Sequence, residues 1–413
     1  MEENFPGGPA SSLYFHVPFC ARKCEYCAFY STAGDAELMD RYVASLVREL
    51  EMRRHELART PGTIFFGGGT PSLLSLRHWG EILAAFERLS LNGAGEWTVE
   101  SNPATVSADK ARLLRDAGVN RVSMGVQSLD EALLDRLGRV HSRDMVFRSF
   151  DTLRAAGFDN INLDLMFAIP GQTIDTWHAT LREAMAMGSE HLSSYEVIYE
   201  EDTPLFEQMK AGEFDVDEDL SSQMFEDLIA LSAEGGFQQY EIANFARSGR
   251  RCRHNLTYWR GGAYAAFGPS ASGFESGVRY RNVANTRRYC EMLEQGQLPR
   301  DWSETLEPLA RAGEIAAFGL RRNDGWAWSE FVAATGFDLR VLWDSEMTDL
   351  VRRGWGVRDD QGFRLTPQGL RFADAAGSEF LRTAPEAVRS GVPGLRGLLG
   401  GLQSASVQAS SRT

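Results

Sequence analysis

The chain is poor in cysteine: five in 413 residues, too few for a disulfide framework. It has no run of about 18 apolar residues, so no helix of membrane-spanning length is expected. It also lacks a basic excess. Lys and Arg number 43 against 57 Asp and Glu, a formal net charge of −14, which disfavours nonspecific attraction to nucleic acid or anionic lipid. The opening residues Met1-Glu2-Glu3-Asn4-Phe5-Pro6 carry neither the basic stretch nor the apolar core of a secretory signal. These absences predict a cytoplasmic protein with no nucleic-acid partner and no integral membrane segment. What is present is ordinary for a folded chain: 43% hydrophobic and 24% charged residues, and enough length for one large domain with a smaller one.

Three of the five cysteines stand together, in Tyr14-Phe15-His16-Val17-Pro18-Phe19-Cys20-Ala21-Arg22-Lys23-Cys24-Glu25-Tyr26-Cys27. The C-x-x-x-C-x-x-C loop follows an apolar run, Leu13 to Val17, that reads as a strand. So short a loop lets Cys20, Cys24 and Cys27 converge on one small inorganic centre, and such loops are the usual carriers of iron–sulfur clusters. Three protein ligands on a four-iron cluster leave one iron open, the mark of a centre that does chemistry. A structural zinc site with His16 as fourth ligand is the alternative, although strand alternation puts His16 on the face of Tyr14. Cys252 and Cys290 stand alone.

Strands and helices then alternate. Strand patterns at Leu13–Val17, Thr63–Phe66, Trp97–Glu100, Arg121–Val126, Asn160–Phe167 and Leu192–Ile198 enclose helical ones at 36–57, 76–89, 107–117, 130–137, 142–156 and 173–187. The interval, about 30 residues, is that of a parallel β/α unit. A doubly wound sheet and a barrel both fit it. The chemically notable residues fall at carboxyl ends of strands: the cysteines, Gly67-Gly68-Gly69-Thr70, Glu100 and Gln127, with Asp164 inside the fifth strand. A carboxylate between Leu163 and Leu165 demands a partner if buried.

The cysteine spacing resembles the radical SAM superfamily. The flanks Tyr14–Phe19 and Glu25–Tyr30 resemble the branch that holds coproporphyrinogen III dehydrogenase and the haem chaperone HemW. The resemblance implies an α/β fold: a partial (β/α)6 barrel with a small C-terminal winged-helix-like α+β domain. It implies a 4Fe-4S cluster on Cys20, Cys24 and Cys27, with S-adenosyl-L-methionine (SAM) on the open iron. Tyr14, Gly68 and Glu100 match positions that hold this SAM. Tyr26, Gly69, Thr70, Gln127, Arg139 and Asp164 match positions that contact a second SAM in the dehydrogenase. The dehydrogenase carries a further cysteine two residues after the third ligand. Here Phe29 stands there, which argues against coproporphyrinogen decarboxylation.

His254-Asn255-Leu256-Thr257-Tyr258-Trp259 matches the H-N-x-x-Y-W signature of HemW within this branch. Imidazole is a usual axial ligand of haem iron, so His254 is the candidate haem ligand. The family's later histidine near Ser272 is missing. Gly261–Gly273 resembles the family's late glycine-rich loop.

The sequence divides into an N-terminal extension (1–12), a barrel core (13–245), a connecting segment (246–300), a C-terminal domain (301–384) and a tail (385–413) without aromatic residues, expected to be disordered. In the C-terminal domain helices at 305–319, 326–334 and 339–353 precede a hairpin, 355–358 and 363–365, and a last helix to Leu381. The third helix mixes Asp344, Glu346 and Asp349 with Arg340, Arg352 and Arg353, unlike a DNA-recognition helix. The functional expectation is a haem chaperone that binds haem and passes it to an acceptor protein. Oxygen-independent coproporphyrinogen III oxidation is the alternative. The number of SAM molecules, SAM cleavage and the oligomeric state stay open.

Overall fold

Apolar residues alternate with polar ones along the first six strands, and amphipathic helices follow each. That pattern buries one sheet face under helices and leaves the other turned inward. In the computed structural model, which describes residues 10–381, this is the arrangement found. Strands β1 (Ser12–Val17), β2 (Thr63–Gly68), β3 (Glu96–Ser101), β4 (Arg121–Gln127), β5 (Ile161–Phe167) and β6 (His191–Glu196) run parallel in sequence order. Helices α1 (Ala36–Arg53), α2 (Leu76–Arg88), α3 (Ala108–Asp116), α4 (Glu131–Arg136), α5 (Arg143–Ala155) and α6 (Ile174–Ala186) connect them. Side-chain caps start them where the sequence offers Asp, Ser or Thr, as at Asp35, Ser107 and Thr173. Residues 1–9 and 382–413, with the expected tail and all but the last three residues of the expected extension, lie outside the described residues.

On the helix-facing side the packing is aromatic. Phe15 stacks on Phe66 and Phe267 with centroids 4.5 and 4.8 Å apart, and Phe86 of α2 stacks on Trp97 at 5.0 Å. Each such pair adds about 1 kcal/mol beyond its burial.

Phe267 belongs to a part of the sheet the sequence did not predict. After α7 (Pro204–Lys210) and α8 (Glu218–Glu234), the antiparallel strands β7 (Gln238–Glu241) and β8 (Asn244–Ala246) extend the sheet beyond β6. Helix α9 (Arg253–Trp259) leads to β9 (Tyr264–Phe267), which pairs parallel with β1. Strands β10 (Ser272–Glu275), β11 (Val278–Asn282) and, after α10 (Thr286–Glu294), β12 (Arg300–Thr305) continue outward. The stretch expected as a glycine-rich loop and connection therefore supplies three strands to the main sheet, and β12, at the start of the expected C-terminal domain, adds a fourth. Its glycines hid the four-residue apolar run Tyr264-Ala265-Ala266-Phe267, and only pairing with β1 makes that run a strand. Buried Arg53 of α1 fastens it, donating to the Ala266 carbonyl at 2.7 Å and the Tyr280 hydroxyl at 2.8 Å, with Glu275 as its ion partner.

The C-terminal unit has its own core around Trp326, Phe331, Trp343 and Phe363. It contains α11 (Pro308–Gly319), β13 (Trp326–Ala327), α12 (Trp328–Thr335), α13 (Leu339–Leu342), α14 (Asp344–Arg352), β14 (Gly356–Arg358) and β15 (Gly362–Leu365). The last two strands and β13 form a small antiparallel sheet in the order β13-β15-β14. The expected helix over 339–353 breaks at Trp343, whose backbone (φ −131, ψ 29) leaves the helical region. Its buried indole donates instead to the Phe380 carbonyl at 2.9 Å.

Candidate functional site

Parallel β/α barrels collect function at the carboxyl ends of their strands, and the cysteine loop leaves β1 at that end. Cys20, Cys24 and Cys27 are half-buried free thiols. The Thr70 hydroxyl donates to Cys20 Sγ at 3.7 Å and Arg139 Nη1 donates to Cys24 Sγ at 3.4 Å. Burial first, then the neighbouring thiols, push Cys27 up to about 11, against the Phe29 amide that lowers it. A bound cation cluster reverses that balance by stabilising thiolates.

The glycine loop after β2 cradles the cysteine loop. Gly69 N donates to the Val17 carbonyl and Thr70 N to the Phe19 carbonyl, both at 2.8 Å. A Cβ on Gly69 would come within 2.8 Å of both carbonyl oxygens, so only glycine fits.

His16 is not placed as a fourth metal ligand. Its Nε2 meets the Tyr30 carbonyl at 2.9 Å and its Nδ1 the Tyr14 hydroxyl at 3.1 Å. Among the described residues no three His, Cys, Asp or Glu side chains close around a single ion. A multi-iron cluster, whose ligands bind different irons, does not require them to. The donor set thus fits a cluster better than zinc.

Beside the cysteines two carboxylates face the barrel interior. Glu100 accepts from Gly68 N at 3.2 Å and, among the described residues, has no cationic partner within ion-pair distance. Burial, then Asp164, push its carboxyl up to about 8. Asp164 accepts from Ser123 Oγ at 3.1 Å and Asn162 Nδ2 at 2.7 Å, which answers the demand for a partner. Burial raises it to about 6 against the lowering effect of Arg121. Arg139 also donates to the Gly125 carbonyl at 2.6 Å, and Gln127 ends β4 in the left-handed region at φ 67. Tyr26 packs on the apolar group of Leu133, Leu137 and Met166, its phenol within electrostatic reach of Arg139, Cys24, Cys27 and Asp164. The structure thus brings Tyr14, Tyr26, Gly68, Gly69, Thr70, Glu100, Gln127, Arg139 and Asp164 to one mouth with the cysteines. Incompletely neutralised carboxylates beside a cysteine loop suit a cationic ligand such as a sulfonium with an ammonium group.

His254 is not among them. It lies at the opposite end of the barrel, 1% exposed, against the first residues of β2 and β3. Its Nδ1 pairs with Thr63 Oγ1 and its Nε2 with Tyr258 Oη, both at 2.7 Å. Its ring stacks on Phe65 at 5.1 Å, and its amide donates to Glu96 at 2.9 Å. Burial lowers its pKa to about 3. With both nitrogens engaged, this imidazole plugs the barrel floor and offers no axial position. The hexapeptide leads to an expectation of haem at His254, and in this structure Thr63 and Tyr258 engage both ring nitrogens.

Sequence reasoning missed Ser123, Asn162 and Ser193 as parts of the interior. The signal was there. Alternate positions of β4, β5 and β6, namely Arg121/Ser123, Asn162/Asp164 and His191/Ser193/Tyr195, are polar, whereas buried parallel strands are ordinarily apolar throughout.

An open-ended parallel barrel with a three-cysteine loop and paired carboxylates at its mouth defines the class, a radical SAM-type protein. The sequence profile of the radical SAM superfamily matches residues 14–184. The chain is 33% identical over 377 residues to the haem chaperone HemW of Bacillus subtilis, covering 90% of this chain and 99% of that protein. To HemW of Lactococcus lactis it is 32% identical over 373 residues, covering 90% and 97%. The solved structure of coproporphyrinogen III oxidase (HemN) from Escherichia coli superposes with a TM-score of 0.79 at 20% identity, covering 92% of this chain and 91% of that one. The chain belongs to the radical SAM superfamily, in the coproporphyrinogen III oxidase-like branch with the HemW proteins.

Proposed function

We propose that this protein is a haem chaperone of the HemW type, which binds haem and hands it to an acceptor protein while carrying a SAM-ligated 4Fe-4S cluster. The observation that carries it is the match to proteins named haem chaperones over nearly their whole length. Cys20, Cys24 and Cys27 hold the cluster, and Tyr14, Gly68 and Glu100 hold the SAM. Tyr26, Gly69, Thr70, Gln127, Arg139 and Asp164 line the same mouth. When bound, the cluster supplies an electron to a sulfonium.

The chain's own contribution is electrostatic. Glu100 and Asp164 compensate the ligand's positive charge, Arg139 compensates thiolate charge at Cys24, and the glycine loop lets backbone approach the ligand closely. Phe29, in place of a thiol, disfavours coproporphyrinogen decarboxylation. No residue is assigned as haem's axial ligand.

The test is anaerobic reconstitution with iron and sulfide, then haem titration read at the Soret band and a coproporphyrinogen III assay on the same sample. Saturable haem uptake without protoporphyrinogen IX supports the proposal. Protoporphyrinogen IX at enzymatic rates replaces it with the oxidase. A protein inert to both overturns each.

A further inference from the structure

We propose that His16 is a positioning residue: the cluster loop holds its ring in one tautomer, which makes the Tyr14 hydroxyl a pure acceptor at the barrel mouth. This rests on the assignment of that mouth to SAM.

The deduction starts at Tyr30, the residue where the chain leaves the cysteine loop. Its carbonyl oxygen can only accept, so the 2.9 Å contact places the proton on His16 Nε2. The ring is 5% exposed, and burial lowers its pKa to about 4, so it is neutral and Nδ1 is bare. A bare Nδ1 can only accept, so at 3.1 Å the Tyr14 hydroxyl must donate to it. Tyr14 then has lone pairs, and no proton, left for anything in the mouth.

A flipped ring would lose both hydrogen bonds, to Tyr30 and to Tyr14. Gly68, at φ 104, lies against it so closely that a Cβ there would meet ring atoms at 2.5 Å. The Tyr42 hydroxyl donates to the His16 carbonyl at 2.8 Å and fixes the backbone. Tyr30 is itself anchored, its hydroxyl accepting from Thr286 N at 2.8 Å in the first turn of α10. The chain of contacts runs from α10 through the exit of the cluster loop to Tyr14, which is within electrostatic reach of Glu100. An acceptor-only phenol beside a carboxylate favours a cationic ligand group and repels an anionic one.

Two substitutions separate the bonds. His16→Asn can place its amide oxygen near the Nδ1 position and keep an acceptor for Tyr14. His16→Gln reaches toward the Tyr30 carbonyl and leaves Tyr14 without one. With iron content as control, His16→Gln and Tyr14→Phe each weaken SAM binding about tenfold, and the double variant no further. His16→Asn stays within about threefold of the parent. Independently of any ligand, 1H–15N spectra of the histidine-labelled full-length chain show His16 protonated on Nε2 alone. A proton on Nδ1, unchanged SAM affinity in His16→Gln, or losses that add in the double variant overturns the proposal. If the parent protein itself fails to bind SAM, the site assignment falls, and the spectrum still decides the tautomer.

Discussion

The two ends of the barrel make the instructive comparison. Both carry a short sequence signature with a metal-binding side chain, cysteines at the mouth and His254 at the floor. At the mouth the groups are half-buried and, among the described residues, sparsely bonded: Cys20 meets the hydroxyls of Thr70 and Ser31, Cys24 takes a guanidinium contact from Arg139, and Glu100 accepts from one backbone amide. At the floor His254 has both nitrogens, its ring face and its amide in use. Unspent bonding capacity marks a binding site, and saturated capacity marks a core. The distinction lies in the partners and not in the residue types.

Three experiments would sharpen or break this contrast. The largest effect belongs to Cys24→Ala, which should bring the iron content of the reconstituted protein to background while its unfolding midpoint stays near the parent value. Full iron loading of that variant would break the contrast at the mouth.

Next is His254→Ala. It leaves Thr63 Oγ1 and Tyr258 Oη without partners and opens a cavity, lowering stability by about 2–4 kcal/mol in denaturant titration, with iron and haem uptake unchanged. A folded His254→Ala protein that loses only its Soret band would restore the floor as a haem site.

The smallest effect is a pH slope. The Glu100 carboxyl moves from its ordinary 4.5 to about 8, so the native state keeps a proton that the unfolded chain sheds earlier. The ligand-free protein should therefore lose stability as pH rises between these values, and Glu100→Gln should flatten the upper part of that slope. Asp164, raised to about 6, contributes with the same sign lower in the window. An unchanged slope in Glu100→Gln would show that its carboxyl is not held protonated.

Much of the barrel was legible. Each of the first six strands falls within a residue or two of its sequence pattern, because apolar alternation and helix caps are local signals. Legibility failed where the signal is shared between distant segments. β9 is four residues whose strand character comes from pairing with β1, 252 residues earlier in the chain. Trp343 breaks a helix because its indole has a partner at Phe380. His254 carried a ligand-like motif, and that Thr63 and Tyr258 engage both its nitrogens is a contact between distant segments.

The alternation of strands and helices, the cysteine loop at the end of the first strand, Glu100 at the end of the third and Asp164 inside the fifth follow from the sequence by itself. Periodicity and the geometry of the β/α unit put them on one rim. What only the tertiary structure decided is which polar groups are already satisfied. Hydrogen-bond saturation depends on residues brought together from across the chain, so it separates Glu100, which among the described residues accepts from the Gly68 amide, from His254, engaged at both ring nitrogens.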